Sequence, residues 1–399
     1  MSTNFKVNQG HSISIFDDEL SVIESILKAR GISLDCFDKE QKILNLNQKY
    51  VGYIKTPRRT IELLPKHEKI NMKHIFRMYY FVHGHFHNLQ DKVFDLSRSS
   101  QYINVIDLFL NELEKVLRRG LPTDYIEKKE ESKFLRGSID YIPSFKNIML
   151  LKEEPFLCSY DELSLQTPLN KTLKYALKKV KKIDGCRNKV QKYERALQSI
   201  SNDYNKQVDS KVIFNNKNDY CKDAFFYANL IINEYYYENL GNENGECFLI
   251  DFDLLFEQFV KKILFEFSGD RKFQEWKKDK IYGIYGEGNE KSYRPDILYG
   301  YDEKEERAIA VLDTKNKFSG SFSNADVYQM MFYAHMLNAK SIVLCYPSVE
   351  NKNKDTLQIQ SDAFITDKIY GVYINIAVEG KEAFAEAINQ FIEDVFSCI

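Results

Sequence analysis

The sequence Ala308-Ile309-Ala310-Val311-Leu312-Asp313-Thr314-Lys315 decides how this chain is interpreted. Its five apolar residues predict a buried β-strand, and Asp313 and Lys315 follow at the end of that strand. Because side chains alternate between the two faces of a strand, residues two apart lie on the same face. A carboxylate and an ammonium group are therefore predicted to converge on one point.

A second carboxylate precedes this strand. Asp296 lies 17 positions before Asp313, and residues 300–306 between them are charged and turn-like. A hairpin there would place the two carboxylates side by side. Metal-dependent phosphodiester cleavage needs carboxylates for Mg²⁺, a positioned water and a positive group near the developing charge. The residues predict Asp296 and Asp313 as metal ligands, with Lys315 orienting or activating the water.

The Asp-x-Lys pattern alone carries little information, because it occurs four times in the chain. Only the pattern that begins at Asp313 ends an apolar strand. It alone follows a Pro-Asp dipeptide, Pro295-Asp296, which occurs once in the chain. The alternative interpretation is an ordinary surface Asp and Lys at the end of a strand.

Two helical segments add candidate site residues. Glu257 has apolar neighbours on a predicted helix, where an unpaired charge is costly and a metal site would account for it. Gln329 and Tyr333 are four residues apart on another predicted helix and so share one face. Both side chains can hydrogen-bond a phosphate or a metal-bound water. The alternatives are a solvated helix face for Glu257 and core packing for Tyr333.

The order of predicted elements divides the chain into three segments: an α+β region over 1–155, a helical basic connection over 156–245, and an α/β domain with a mixed central sheet over 246–399. In the first segment, strands at 50–54 and 60–64 flank a basic turn and predict a hairpin. Residues 239–246 are rich in Gly and Asn and predict a linker. The last segment is predicted to contain a helix over 248–267, strands over 280–285, 293–299, 307–314 and 341–346, and a helix over 324–338.

Two basic stretches are candidates for contact with DNA or a partner. Between Lys171 and Arg195, ten basic residues stand against two acidic ones, which leaves a net charge of +8. Such a segment can follow a phosphate backbone, although a solvated helix face is the commoner explanation. The predicted hairpin turn is also basic. The residues considered for contact are Lys55, Arg58, Arg59, Lys174, Lys178, Lys181 and Lys182.

The composition excludes several classes of protein. The 399 residues are 44% hydrophobic and 29% charged, which predicts folded domains with sizeable cores. The net charge of −2 excludes a strong preference of the whole chain for acidic or basic partners. No apolar run approaches the roughly 18 residues of a membrane helix, and the polar start lacks a signal sequence, so a cytoplasmic location is expected. The seven cysteines form no CxxC pair, which does not support a zinc ribbon.

The candidate residues occur in an order that resembles a known nuclease superfamily. Glu257, then Pro295-Asp296, then Asp313-Thr314-Lys315, then Gln329-x-x-x-Tyr333 is similar to the PD-(D/E)xK superfamily, in its RecB-like branch with a Gln-x-x-x-Tyr helix. The resemblance implies a restriction-endonuclease-like α/β domain. It also implies that Asp296, Asp313 and Lys315 are catalytic and that Glu257, Gln329 and Tyr333 support the site.

The resemblance extends beyond the nuclease domain to the McrC family, the nuclease subunits of McrBC-type restriction systems. The segments that resemble McrC are Val51–Ile54, Thr60–Lys66, Leu135–Ile139, Tyr160–Ser164 and Thr167–Lys171. This implies a partner of the McrB type, a hexameric AAA+ GTPase that the N-terminal region docks on and stimulates. It further implies cleavage of double-stranded DNA with Mg²⁺, for which Mn²⁺ substitutes, in defence against phage or foreign DNA. The chain has no Walker A sequence and is not expected to hydrolyse GTP itself.

Two other functions are compatible with the same residues. One is a non-catalytic adaptor that uses a nuclease-like domain only to bind and activate the AAA+ ring. The other is a stand-alone nuclease of the RecB type that needs no motor. The adaptor is opposed by the complete set of Asp296, Asp313 and Lys315. Cleavage by the purified chain alone would distinguish the stand-alone nuclease.

Overall fold

The structure is a computed structural model of the full chain. It describes residues 3–8, 12–46, 49–83, 105–183, 185–209, 212–240, 243–276, 293–318, 322–359 and 368–399. The predicted strand at 280–285 lies outside these ranges. Within them the chain is a mixed α/β protein with several sheets.

Six strands near the start of the chain and two from its middle form the first two sheets. The strands are β1 (Thr3–Asn8), β2 (Ile13–Ser14), β3 (Phe37–Asp38), β4 (Ile43–Leu44), β5 (Tyr50–Lys55), β6 (Arg59–Leu64), β10 (Tyr235–Leu240) and β11 (Glu243–Asp251). The five-stranded sheet has the order β1-β6-β5-β11-β10, and β2, β4 and β3 form a small separate sheet. β5 and β6 pair antiparallel, which confirms the predicted hairpin.

The predicted linker over 239–246 is wrong for its described residues, because β11 begins at Glu243 and pairs antiparallel with β5. The predicted start of the next helix at 248 is wrong for the same reason. The strand continues to Asp251, whose side chain accepts a hydrogen bond from the backbone N–H of Leu254 and caps the helix. Glycine at position 245 lets the strand pack closely on the facing helix. A Cβ at this position would lie only 2.9 Å from the side chain of Val22. Composition favoured a loop, whereas tertiary pairing selected a strand.

A six-stranded mixed sheet forms the core of the C-terminal region. Its strands are β12 (Phe273–Gln274), β13 (Ile297–Tyr299), β14 (Ala310–Thr314), β15 (Ser341–Ser348), β16 (Asp355–Gln358) and β17 (Lys368–Asn375). The order is β12-β13-β14-β15-β17-β16. β13 and β14 pair antiparallel, and β14, β15 and β17 run parallel. This confirms a mixed central sheet with β14 inside it, flanked on both sides.

Among the described residues, five α-helices accompany the five-stranded and six-stranded sheets: α1 (Leu20–Ala29), α2 (Met72–His83), α9 (Phe252–Lys262), α10 (Asn324–Met336) and α11 (Lys381–Phe396). α10 packs its buried face, including Met330 and Ala334, on the apolar side chains of β14 and β15. Arg77 of α2 is fully buried and donates to the carbonyl oxygens of Ile376 and Val378, 2.7 and 2.5 Å away. The early helix α2 is therefore fixed to the segment that follows β17.

The remaining elements lie in the middle of the chain. The helices are α3 (Val105–Arg119), α4 (Tyr141–Met149), α5 (Pro168–Lys181), α6 (Arg187–Ala196), α7 (Lys206–Asp209) and α8 (Lys222–Glu234). The strands β7 (Asp124–Ser132), β8 (Ser138–Ile139) and β9 (Phe156–Ser164) form a sheet of order β7-β9-β8. Apolar faces of α3, α5 and α8 pack against one another. The sequence predicted a helical, basic connection over 156–245 but not α4 or this sheet.

The chain folds into two compact units, residues 1–103 with 238–399 and residues 104–237. This division differs from the predicted segments 1–155, 156–245 and 246–399. The first unit is discontinuous because β11, late in the chain, pairs with β5 in the N-terminal sheet. Among the described residues, no helix is both long enough and apolar enough to cross a membrane.

Candidate active site

The end of β14 brings the two predicted aspartates together. Ile297 of β13 pairs with Leu312 of β14, so the antiparallel register places Asp296 opposite Asp313. The Oδ2 atom of Asp296 accepts hydrogen bonds from the backbone N–H and the hydroxyl of Thr314, both at 2.8 Å. Asp313 is buried, with 2% of its surface exposed. The predicted hairpin geometry is therefore present, and Thr314 fixes the orientation of Asp296.

Lys315 links the aspartates to helix α10. Its Nζ lies 2.6 Å from Oδ2 of Asp313 and donates to Oε1 of Gln329 at 3.0 Å. The Nζ of Lys315 and the Oδ2 of Asp313 are close enough for an ion pair, but their angles do not meet those of a hydrogen bond. Gln329 in turn donates from Nε2 to the hydroxyl of Tyr333 at 2.7 Å. Five of the six predicted site residues, Asp296, Asp313, Lys315, Gln329 and Tyr333, thus form one connected group.

The site holds more negative charge than a buried place easily accommodates. Burial, together with the charge of Asp296, raises the pKa of Asp313 to about 7, and Lys315 opposes this rise. For Lys315, burial favours the neutral amine, but the charges of Asp313, Asp326 and Asp296 outweigh it and raise its pKa. A positively charged lysine and two mutually repelling carboxylates therefore face one another.

Sequence reasoning missed two residues beside this group. Asp326 precedes Gln329 by three positions on α10 and is buried, and its Oδ2 accepts from Nζ of Lys317 at 2.5 Å. Lys317 also donates to the hydroxyl of Ser323, the N-cap of α10. The available signals were spacings, since Lys317 lies two residues after Lys315 and Asp326 shares a helix face with Gln329. This pair ties the start of α10 to the segment after β14.

Glu257 is not part of the connected group. On α9 it forms an ion pair with Lys261, one helical turn later, at 2.6 Å, and Lys261 also contacts Glu275 at 3.1 Å. Within the described part of the chain, no set of three or more His, Cys, Asp or Glu side chains is arranged to hold a metal ion. The structure therefore assembles two of the three predicted metal ligands, and the helix supplies Glu257 with a lysine partner instead.

The pair Asp296 and Asp313 fits a hard divalent cation. Mg²⁺ is commonly bound through one or two carboxylates, with water and substrate phosphate completing its octahedral shell. Asp313 presents a nearly buried carboxylate with an Oδ2 that accepts no hydrogen bond, and the neighbouring Asp296 repels its charge. A bound cation would relieve that repulsion. The donor set therefore suits Mg²⁺ or Mn²⁺ better than a soft metal.

The three predicted contact residues at the β5–β6 turn differ in exposure. The Lys55 side chain is 52% exposed and contacts Glu246, and Arg58 is equally exposed and lies over the ring of Phe16. Arg59 is buried and donates through Nε and Nη2 to both oxygens of Glu19. The Arg59 side chain is therefore occupied by a partner within the protein, unlike the exposed Lys55 and Arg58. A bidentate pair with a fully buried glutamate explains its position in the core.

Much of the basic stretch in the middle unit is paired within that unit. Lys174 donates to the carbonyl oxygen of Ile200, and Lys181 lies 2.7 Å from Glu194. Lys178 and Lys182 are exposed. Other lysines of the stretch pair with acidic residues of α3 or of the loop after α6, namely Lys171 with Asp203, Lys189 with Asp107 and Lys192 with Glu114. Acidic residues of the same unit therefore balance much of the +8 charge of this stretch. Lys178 and Lys182 remain the accessible candidates.

Helix α4, in the unit of residues 104–237, buries polar side chains and exposes apolar ones. Its buried positions are the polar Ser144 and Asn147. Ser144 donates to the carbonyl oxygen of Asp140 and accepts from the backbone N–H of Leu157. Its apolar side chains at the outer positions are between 64% and 78% exposed, namely Tyr141, Ile142, Phe145 and Met149. Such a face is typical of an interaction surface.

Comparisons with known proteins agree with this architecture. A sequence profile described as "McrBC 5-methylcytosine restriction system component" matches residues 46–347. A chain of a refined half-complex from the tetradecameric assembly of Thermococcus gammatolerans McrB AAA+ hexamers with bound McrC is 18% identical, with a TM-score of 0.55, over 99% of this chain and 100% of that chain. A chain of the Thermococcus gammatolerans McrBC complex, solved by cryo-EM, is 19% identical, with a TM-score of 0.40, over 66% and 88% of the respective chains. No curated protein matches significantly in sequence.

Proposed function

This chain belongs to the McrBC 5-methylcytosine restriction system family, and from this premise we propose that it is the DNA-cleaving subunit of such a system. The C-terminal region is then a PD-(D/E)xK nuclease domain whose core is the six-stranded sheet. It would cut double-stranded DNA as part of a complex with an AAA+ GTPase of the McrB type. This role agrees with a solved relative of the same fold that comes from an assembly of McrB hexamers with bound McrC.

One observation carries the proposal. Asp313, Lys315, Gln329 and Tyr333 form a continuous series of contacts at the end of a buried strand, and Asp296 stands opposite in register. A purely structural role does not explain why a second carboxylate, Asp296, stands beside the buried Asp313 and raises its pKa, since such an arrangement lowers stability. Buried carboxylates with strongly raised pKa values are more typical of catalytic and metal-binding sites.

The two aspartates are proposed as the ligands of Mg²⁺, for which Mn²⁺ would substitute. When bound there, the metal would supply Lewis-acid stabilisation of the phosphate and a more acidic water. The aspartates must be ionised to bind it, so the raised pKa of Asp313 makes metal binding compete with protonation. Glu257 is proposed as a further ligand or base in the assembled complex, where it would have to leave Lys261.

The remaining side chains act on the water and the phosphate. The ammonium group of Lys315 can orient the attacking water and stabilise the negative charge that develops on the phosphate. Gln329 holds Lys315 through its Oε1 atom, and Tyr333 holds Gln329 through its hydroxyl, so the lysine has a fixed direction. Gln329 and Tyr333 can also orient the phosphate once DNA is bound.

The outer face of α4 is proposed as a docking surface for the AAA+ partner. An exposed apolar face is costly in water and is explained by a protein surface that covers it. The exposed Lys55 and Arg58 at the β5–β6 turn, and Lys178 and Lys182 on the middle unit, are proposed to contact DNA or the partner. Their positive charge suits phosphate or an acidic surface.

The substitution Asp313→Ala tests the proposal. The full chain is combined with its AAA+ partner, DNA, GTP and Mg²⁺, and both cleavage and GTP hydrolysis are measured. We expect the variant to lose cleavage, by more than the roughly 10–100-fold typical of residues that only support a metal ligand. Its stimulation of GTP hydrolysis should stay at the level of the unaltered chain.

Other outcomes would contradict the proposal. Retained cleavage by Asp313→Ala removes the site assignment. Stimulation of GTP hydrolysis without any Mg²⁺- or Mn²⁺-dependent cutting by the unaltered chain identifies an adaptor. Efficient cutting by the purified chain with no GTPase identifies a stand-alone nuclease.

A further inference from the structure

Asn316, the residue directly after Lys315, is held from two directions. Its side-chain Nδ2 donates to Oδ1 of Asp253 at 2.7 Å. Its backbone carbonyl oxygen accepts from Nζ of Lys66, also at 2.7 Å. Only 8% of its surface is exposed, so neither contact is a loose surface pairing. The chain is therefore fixed immediately beyond the residue proposed to act on the water.

Both partners of Asn316 come from the ends of strands in the five-stranded sheet. Lys66 lies two residues after β6, behind the buried Pro65. Asp253 lies in the first turn of α9, which begins where β11 ends and is capped by Asp251. β6 and β11 are the two neighbours of β5 in this sheet. The segments that follow these two strands therefore both contact Asn316. A link of 250 positions in sequence thus closes next to the candidate site.

The hydrogen bond between Lys66 and Asn316 is supported by its surroundings. Lys66 is half-buried, and burial lowers the pKa of its ammonium group, while the carboxylate of Asp253 partly restores it. A desolvated ammonium group costs free energy unless it is used in a hydrogen bond. The same two chain segments meet a second time, since the rings of His67 and Phe318 lie 5.6 Å apart. The segment after β14 is therefore attached to the residues that follow β6 both at Asn316 and at Phe318.

We propose that Lys66 and Asp253 are positioning residues for DNA cleavage, which act by fixing Asn316 and so the direction of Lys315. This inference rests on the proposed function and extends it. Lys315 must contact Asp313 and Gln329 together, and both contacts depend on where the backbone of residues 315 and 316 lies. A misplacement of about 1 Å at such a site can cost roughly 10²-fold in rate. The five-stranded sheet thereby sets the geometry of the nuclease site.

The test uses Lys66→Met in the full chain with its AAA+ partner, DNA and Mg²⁺. We expect the maximal cleavage rate to fall about 10–100-fold with little change in KM for DNA, because orientation is lost and DNA contacts are kept. Lys66→Arg retains a donor and should recover most of the rate. Lys69→Met is the matched control, since Lys69 is an exposed lysine three residues further on, and it should cut like the unaltered chain.

A second variant removes the other contact of Asn316, its hydrogen bond to Asp253. Asp253 is exposed on α9, so Asp253→Ala removes the acceptor for Asn316 without opening the core. It should show the same loss of maximal rate at unchanged KM, with Mn²⁺ affinity retained. The inference is overturned if Lys66→Met and Asp253→Ala both cut at the rate of the unaltered chain. It is also overturned if Lys66→Arg is as slow as Lys66→Met, because the donor would then be irrelevant. Failure of the unaltered complex to cut DNA would instead remove the proposed function.

Discussion

At the scale of single residues, the candidate site is an arrangement of opposed charges. Asp313 is nearly buried, Asp296 stands across from it, and Lys315 touches the inner oxygen of Asp313. Burial and the charge of Asp296 favour the protonated form of Asp313 more in the folded chain than in an unfolded one, which raises its pKa to about 7. The site therefore lowers the stability of the protein that contains it, and this can be measured.

Asp313→Asn should raise the stability of the metal-free protein in a pH-dependent way. An unfolded Asp ionises near pH 4, whereas the folded pKa of Asp313 is about 7, so stability is lost as the pH rises between these values and stays lost above them. Asn is neutral throughout. We expect the variant to unfold about 5 °C higher than the unaltered chain at pH 8 and at nearly the same temperature at pH 4.

Thermal unfolding in the presence of a chelator, from pH 4 to pH 8, provides the measurement. Mn²⁺ added at pH 8 should raise the unfolding temperature of the unaltered chain and leave that of Asp313→Asn unchanged. A variant that is less stable than the unaltered chain at pH 8 would show that Asp313 is not a strained carboxylate.

Local patterns predicted the residues that share an element, and the structure shows why they did not predict the rest. Asp313 with Lys315, and Gln329 with Tyr333, are set by the periods of a strand and a helix. The contact of Lys66 with Asn316 spans 250 positions and leaves no periodic trace in the sequence. The burial of Arg59 was not predicted for the same reason, because its partner Glu19 lies 40 residues away in a different element.

At the scale of elements, α4 is notable because its apolar side chains are exposed. Its polar residues hydrogen-bond inward and its apolar residues face outward, which is the reverse of the pattern that predicts a buried helix face. Periodicity of hydrophobic residues therefore gave no indication of how this helix packs. The exposed side chains become explicable when a second protein covers them.

Phe145→Glu should weaken binding to the AAA+ partner without harming the fold. Phe145 is largely exposed, so a charge there costs little in the isolated chain, whereas it would be buried in a docked complex. We expect at least a tenfold loss of affinity, the order of effect found for apolar anchor residues. Binding to the GTP-loaded partner is measured by calorimetry, alongside the unfolding temperature of the free variant.

Ile213→Glu supplies the control for this substitution. Ile213 is also strongly exposed and lies in the same unit, outside α4. It should bind the partner normally. Equal binding by both variants and the unaltered chain would show that α4 is not the docking surface.

At the scale of the whole molecule, the order of residues along the chain is a poor guide to its compact units. Residues 1–103 and 238–399 form one unit because β11 returns to pair with β5, and Arg77 fastens α2 to the segment after β17. Residues 104–237 form the other unit as an insertion between them. The Gly- and Asn-rich residues 239–246 lie next to the boundary at 238, but nothing in the sequence indicates that the chain after them rejoins the sheet formed by its first 103 residues. The mixed six-stranded sheet was predictable because its strands are nearly consecutive.

The discontinuous unit also means that the candidate site has to be tested in the full chain. The segment after β14 depends on Lys66, and the first turn of α9 depends on β11 of the N-terminal sheet. A C-terminal fragment beginning at residue 246 would cut β11 and remove Lys66 altogether. Measurements on such a fragment would say little about the site.

The most direct test is to locate Mn²⁺ by its anomalous scattering in crystals of the full chain grown at pH 8. We expect one strong peak within about 2.2 Å of carboxylate oxygens of both Asp296 and Asp313, a distance typical of a hard cation bound by oxygen. The peak should vanish in crystals of Asp313→Asn. Manganese bound elsewhere, or no ion between the two aspartates at saturating concentration, would show that Asp296 and Asp313 are not the metal ligands.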